Sequence, residues 1–384
     1  MDRAPEIGTS GILPLAEFPR LLEALRAEGY SVVGPTVRDG AIVLGEIRTD
    51  ADLPIGWTDR PDAGTYRLER RSDEALFGYG VGPHSWKKYL FPARDHLWTA
   101  RGGDGGLTID PVEPADPPRA FLGMRACEIA ALGITDRVFT GGPATDRSYA
   151  HRRGRILRIG VQCGTAGATC FCASMGTGPG IAAGADLVLT ELIDSSRHRF
   201  LLTVGTEEGA RVATRLPLLP APAEAIVAAD AIVARTARSQ GRRMDPGGLE
   251  SLLAERLEHP RWVDVARRCL SCANCTMVCP TCFCHTTEEV PNVEGTESEH
   301  WRRWDSCFQL AHSQLHATSV RASPRSRYRQ WLTHKLGTWS AQFGTSGCVG
   351  CGRCIVWCPV GIDLTEEVAA LRAAPGPPSG GAAR

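Results

Sequence analysis

No run of about 20 apolar residues occurs in the 384-residue chain, so a helix that spans a bilayer is not expected. Charge of one sign is also missing. The 43 basic and 43 acidic residues cancel, which argues against a nucleic-acid partner or a polybasic membrane anchor. The first ten residues lack the basic and apolar segments of a secretory leader, so no signal peptide is expected. Common catalytic signatures are absent: there is no Walker A loop, no H-E-x-x-H and no G-x-S-x-G. Gly176-Thr177-Gly178-Pro179-Gly180 approaches a phosphate loop but lacks the G-x-G-x-x-G register. His84, His96, His151, His285, His312, His316 and His334 show no paired metal spacing and read as core or surface residues.

What is abundant is cysteine. Fifteen cysteines without a leader place the chain in a reducing compartment, the cytoplasm, with thiols kept for metal. Eight lie in two matching runs, Cys269-x2-Cys272-x2-Cys275-x3-Cys279-Pro280 and Cys348-x2-Cys351-x2-Cys354-x3-Cys358-Pro359. Three cysteines at successive third positions can wrap a turn of backbone around one corner of a cubane, each thiolate on a different iron. The spacing resembles that of two-cluster ferredoxins, in which the fourth cysteine ligates the other cluster. That resemblance implies one [4Fe–4S] cluster on Cys269, Cys272, Cys275 and Cys358, and a second on Cys348, Cys351, Cys354 and Cys279. Zinc is the rival. It uses separated Cys-x2-Cys pairs or Cys/His mixtures, and has no use for a third cysteine or the Cys-Pro ending.

Seven cysteines remain. Cys127, Cys163, Cys170 and Cys172 are the number a third cluster requires, although their spacing matches no signature. On an extended strand Cys170 and Cys172 would point to opposite faces, so they can share a metal only if Phe171 sits in a turn. The competing reading is four small buried hydrophobes. Thr-Cys-Phe-Cys occurs at 169–172 and again at 281–284, where it overlaps the end of the first run. Cys282, Cys284 and Cys307 are therefore expected to pack near a cluster. Asp305 is a weak candidate for an oxygen ligand, because carboxylate is a hard donor.

Hydrophobic content of 43% and charged content of 22% fit a globular protein, and the length suggests two or three domains. Residues 14–29 carry a helical apolar face ending at Gly29, and 30–47 read as a strand pair turning at Arg38-Asp39-Gly40. Residues 120–122, 155–161, 186–193 and 199–204 read as strands; 125–132, 207–215, 221–243 and 326–339 read as helices. Residues 102–118, rich in glycine and proline, read as loop. In 82–92 (GPHSWKKYLFP) a short helix with one face in the core and its lysines in water is favoured over an aromatic docking surface. Arg321, Arg325, Arg327 and Arg329 suit either an acidic partner or a solvated flank. The expected architecture is an α/β domain over 1–260, a mostly α-helical dicluster ferredoxin-like domain over 261–372, and a disordered tail over 373–384. The 67 residues between the runs require structure inserted into the second domain.

CLSCANCTMVCPTCFC, WRRWDSCF, RYRQWLTHKLGTW and GTSGCVGCGRCIVWCPVGID, with GPHSWKKYLFP, GMRACEIAAL and CGTAGATCFCASMGTGP upstream, resemble a known family. They are similar to the iron–sulfur β subunits of cytoplasmic NAD(P)-linked [NiFe] hydrogenases (sulfhydrogenases), and equally to the electron-transfer subunits of anaerobic sulfite reductases. The resemblance implies a protein without its own catalytic centre. It would relay electrons from a flavin/NAD(P)H-binding subunit to the hydrogenase small and large subunits, or to the other sulfite reductase subunits. A self-contained redox enzyme with substrate at the 163–172 loop, and a zinc-organised scaffold, are the readings from other classes.

Overall fold

The computed structural model describes residues 5–103 and 106–373. The tail expected beyond 373 lies outside them. An eight-stranded mixed sheet organises the first part of the chain. Its order is Leu219–Pro220, Ser10–Pro14, His198–Val204, Leu187–Ile193, Ile156–Val161, Arg119–Met124, Ser31–Arg38 and Ala41–Glu46. The four strands Leu187–Ile193, Ile156–Val161, Arg119–Met124 and Ser31–Arg38 are parallel, and the flanking pairs are antiparallel.

Central parallel strands are covered on both faces, so they read as continuous apolar runs. Ala120-Phe121-Leu122 shows the consequence. Ala120 and Leu122 face a core built with Phe18, Leu21 and Leu25 of helix Phe18–Ala27. Phe121 faces the opposite core with Trp86, Leu132 and Phe139, as alternation along a strand requires. The helix expected at 14–29 starts later, because residues 10–14 form a strand paired with Arg199–Thr203. Gly29 closes it with φ +86°, where a left-handed residue is needed.

Two expectations need correction. Residues 102–118 are not all loop: Arg94–Gly103 and Gly106–Pro111 pair as antiparallel strands. Nor is the later part of the chain purely helical between the cysteine runs. His285–Pro291 and Glu297–Trp304 form a hairpin, and Glu297–Trp304 pairs with Arg94–Gly103 to make one four-stranded sheet from both halves of the chain.

Beneath that joint lies a buried charge network. Arg152 makes a bidentate pair with Asp95 (2.7 and 3.0 Å), Arg302 reaches the same carboxylate at 2.9 Å, and Arg302 also pairs with Asp146. Asp95, Arg152 and Arg302 are all buried. Removing one partner of such a group leaves uncompensated buried charge, at a cost of about 3–5 kcal/mol. Asp95→Ala is therefore expected to lower the thermal unfolding midpoint markedly, whereas a surface change such as Glu69→Ala leaves it in place. An Asp95→Ala midpoint equal to wild type would show that the joint does not depend on this pairing.

The core beneath the cysteine runs is separate. It gathers Met244, Leu249, Leu253, Trp262 and Val265 with Tyr328, Trp331, Leu332, Leu336, Ile355 and Leu364. Helix Pro324–Thr333 and its π-helical extension His334–Thr338 supply its centre, close to the helix expected at 326–339.

Candidate metal centres

Each cysteine run folds by the same local device. In the first, Ser271 and Ala273 have φ of +51° and +69°, ahead of the short helix Asn274–Met277. In the second, Gly350 and Gly352 have φ of +65° and +75°, ahead of Arg353–Val356. The positive-φ residues stand two and four places after the first cysteine in both runs. They curl the chain so that the N–H of Ser271 donates to Cys269 Sγ (3.4 Å) and that of Gly350 to Cys348 Sγ (3.5 Å). Only the second run needs glycine for space. A Cβ on Gly350 would come within 2.7 Å of the Cys172 backbone, and one on Gly352 within 2.4 Å of Thr169 O.

Cys269, Cys272 and Cys275 line one cavity with Cys358, which comes from the end of the other run. The cavity is walled by Phe308, Tyr328, Trp331, Val360, Ile362 and Leu364. Cys354 stands in the same wall. The Ile362 N–H donates to Cys358 Sγ at 3.3 Å. Five thiols lining a largely apolar chamber suit a soft cluster that carries its own sulfide.

Cys279 sits with the other set. Burial raises the Cys354 thiol well above its ordinary pKa, and Cys348, Cys351 and Cys279 push it further in that order. The two sets adjoin, since Cys354 also feels Cys275 and Cys275 feels Cys279.

Two lysines are enclosed here. Lys335 donates from Nζ to Cys279 Sγ (3.3 Å), Thr281 Oγ1 (3.3 Å) and the Gly347 carbonyl (3.2 Å). Burial lowers its pKa, but Cys279 and three other thiols outweigh burial and raise it. Lys87 donates to the Cys282 carbonyl at 3.0 Å and lies over the Trp304 ring. The lysines of GPHSWKKYLFP are thus not both in water: Lys87 is only 7% exposed, Lys88 is half-buried, and Trp86 and Phe91 are core residues. The sequence pattern of an amphipathic helix carries no sign of a lysine held by carbonyls from distant segments.

The fold gathers Cys127, Cys163, Cys170 and Cys172. Cys127 follows strand Arg119–Met124, and Cys163 follows its parallel neighbour Ile156–Val161. Both therefore stand at carboxyl ends of adjacent parallel strands, where ligands bind in open α/β sheets. Turns close on either side of Phe171, with Cys170 N–H to Gly167 O at 3.1 Å and Ser174 N–H to Phe171 O at 3.0 Å. Burial raises Cys170 first, and then Cys172, Cys163 and Cys351 act on it. Burial likewise leads for Cys127, followed by Cys172 and Cys351. Gln240 Nε2 donates to Cys172 Sγ at 2.9 Å, a contact with no sequence signal. The glycine-rich 176–180 loop packs on the same group, since a Cβ on Gly178 would stand 3.1 Å from Cys172 Sγ.

Arg353, between Cys351 and Cys354, ties the second run to the first part of the chain. It donates to the Gly82 and His84 carbonyls (2.9 and 3.1 Å) and pairs with buried Glu128. Asp305, the candidate oxygen ligand, is engaged instead with His312 Nδ1 at 2.6 Å and the Ser306 N–H at 2.7 Å. Of the arginines of 321–329, Arg327 is buried and bonds the Arg321 and Ala322 carbonyls, whereas Arg325 and Arg329 make surface pairs with exposed Glu258. Among the described residues, no three His, Cys, Asp or Glu side chains gather closely enough to hold a single ion. Thiolates placed on separate irons of a cubane stand further apart than that.

The runs and their shared cavity fit the ligation of iron–sulfur clusters, and residues 268–362 match the 4Fe-4S dicluster domain family. Over 315 residues, 80% of this chain and 89% of the other, the chain is 28% identical to the Sulfhydrogenase 2 subunit beta of Pyrococcus furiosus. The resemblance to sulfhydrogenase β subunits read from the motifs is thus shown across most of the chain. No solved structure matches. No helix among the described residues is long and apolar enough to cross a membrane.

Proposed function

We propose that this chain is the electron-relaying iron–sulfur subunit of a cytoplasmic hydrogenase complex, lying between a flavin/NAD(P)H-binding subunit on one side and the [NiFe] small and large subunits on the other. Cys269, Cys272, Cys275 and Cys358 would hold one [4Fe–4S] cluster and Cys348, Cys351, Cys354 and Cys279 a second. Cys127, Cys163, Cys170 and Cys172 would hold a third. The carrying observation is the chamber in which three cysteines of one run meet the last cysteine of the other. Bound clusters supply one-electron transfer. The chain's part is to present thiolates, exclude water with the aromatic wall, and set local charge through Lys335.

The order of the cysteine groups supports a relay. Cys275 and Cys354 bring the first two groups together, and Cys351 adjoins the Cys127–Cys172 group. Iron and acid-labile sulfide on anaerobically purified chain test the count. About 12 irons per chain are expected for three clusters, and Cys170→Ala should remove about four of them. About eight in the wild type, unchanged in Cys170→Ala, would remove the third cluster and leave the pair. The chain alone should turn over neither NAD(P)H nor hydrogen. Co-purification of a nickel-containing protein supports the placement; co-purification of a sirohaem protein would move it to sulfite reduction.

A further inference from the structure

Cys284 and Cys307 are used by none of these groups, and the fold holds them together at the base of a hairpin. The Asp305 N–H donates to the Cys284 carbonyl at 2.9 Å, continuing the His285–Pro291/Glu297–Trp304 ladder by one step. Cys307 follows two residues later, and its thiol and N–H both interact with the Cys284 sulfur. His312 meets that sulfur from another side. Its Nδ1 is engaged by Asp305 at 2.6 Å, which fixes the ring and leaves Nε2 for the thiol. Cys284, Cys307 and His312 are each of intermediate exposure. Cys282 is drawn away, its thiol engaged with Cys279.

We propose that Cys284 and Cys307 form a thiol–disulfide exchange centre for low-molecular-weight disulfides, with Cys284 as the attacking thiolate, Cys307 as the resolving thiol, and His312, oriented by Asp305, as the positioning residue. Reactive thiolates have this setting: a cationic neighbour, partial exposure and an adjacent second cysteine. Contact with Cys307, and then with His312, lowers the Cys284 pKa, and the contact with Cys284 raises that of Cys307. Lys335 and Cys275 are the other ionisable groups that act on Cys307.

The chemistry balances without a further reactant. Cys284 S⁻ attacks one sulfur of RSSR, the RS–SR bond breaks, and RS⁻ leaves from a Cys284–S–S–R mixed disulfide. Cys307 then attacks Cys284 Sγ and expels the second RS⁻, forming the Cys284–Cys307 disulfide. The proton held between His312 and Cys284 and the proton of Cys307 leave on the two RS⁻ groups. The small disulfide is reduced by two electrons, the protein pair is oxidised by two, and excess RSH reverses both steps.

The test uses intact, anaerobically purified chain treated with glutathione disulfide, alkylated and peptide-mapped. The expected product in the wild type is a Cys284–Cys307 disulfide, reversed by reduced glutathione. In Cys307→Ser a glutathione adduct should instead accumulate on Cys284. His312→Asn should raise the pH midpoint of Cys284 alkylation by about one unit or more, whereas a purely structural histidine would not move it. Absence of both disulfide and adduct, with reaction at other cysteines, would overturn the proposal. So would loss of iron in Cys284→Ala, since that makes Cys284 a ligand. Neither readout depends on electron relay, so the two readings fail separately.

Discussion

Cys358→Ala is expected to remove about four irons per chain, and adding Cys272→Ala to it should remove no more. The two residues lie far apart in sequence, yet both line the same chamber. If they serve one cluster, losing either loses that cluster, and the double variant behaves like each single one. The combination of Cys358→Ala with Cys351→Ala should behave additively, with about eight irons lost. A ferredoxin with uncrossed ligands gives the reverse pattern. Throughput between electron donor and acceptor in the assembled complex should fall by orders of magnitude in either single variant. Retention of full iron in Cys358→Ala would assign this cysteine to packing.

Lys335→Met is expected to lower the reduction potential of the cluster held by Cys279. The ammonium stands 3.3 Å from the Cys279 sulfur and is only 3% exposed. A positive charge favours the reduced, more negative state. At an effective dielectric of about 20, a charge some ~6 Å from the cluster's excess charge contributes about 3 kcal/mol. For one electron that is on the order of 100 mV. Methionine keeps the volume and removes the charge, while Lys335→Arg retains the charge and should restore most of the potential. An unchanged potential in Lys335→Met, with iron intact, would show that the lysine only satisfies Thr281 and Gly347.

The difference between what can be read from the sequence and what cannot follows from where the constraints lie. The two cysteine runs are legible because their ligands are contiguous and the positive-φ steps between them are local. The apolar run at 120–122 marks a strand buried on both faces for the same reason. The Cys127–Cys172 group is visible only as a count. Its assembly depends on the parallel pairing of Arg119–Met124 with Ile156–Val161, which no short window encodes. The Gly106–Pro111 strand escapes detection because the glycines before it and the prolines after it read as loop, although Leu107 and Ile109 alternate with Thr108 and Asp110. Lys87 and Lys335 escape it because a buried lysine is defined by partners elsewhere in the chain. The Asp305–His312–Cys284 alignment leaves no trace in sequence spacing, since the base of the hairpin brings it together.

A reductive titration of the intact anaerobic chain, followed by electron paramagnetic resonance, tests the central claim most directly. Two adjoining cysteine quartets require more than one reducible iron–sulfur signal, broadened by magnetic coupling between neighbouring centres. Colourless protein with no reducible iron signal would contradict it.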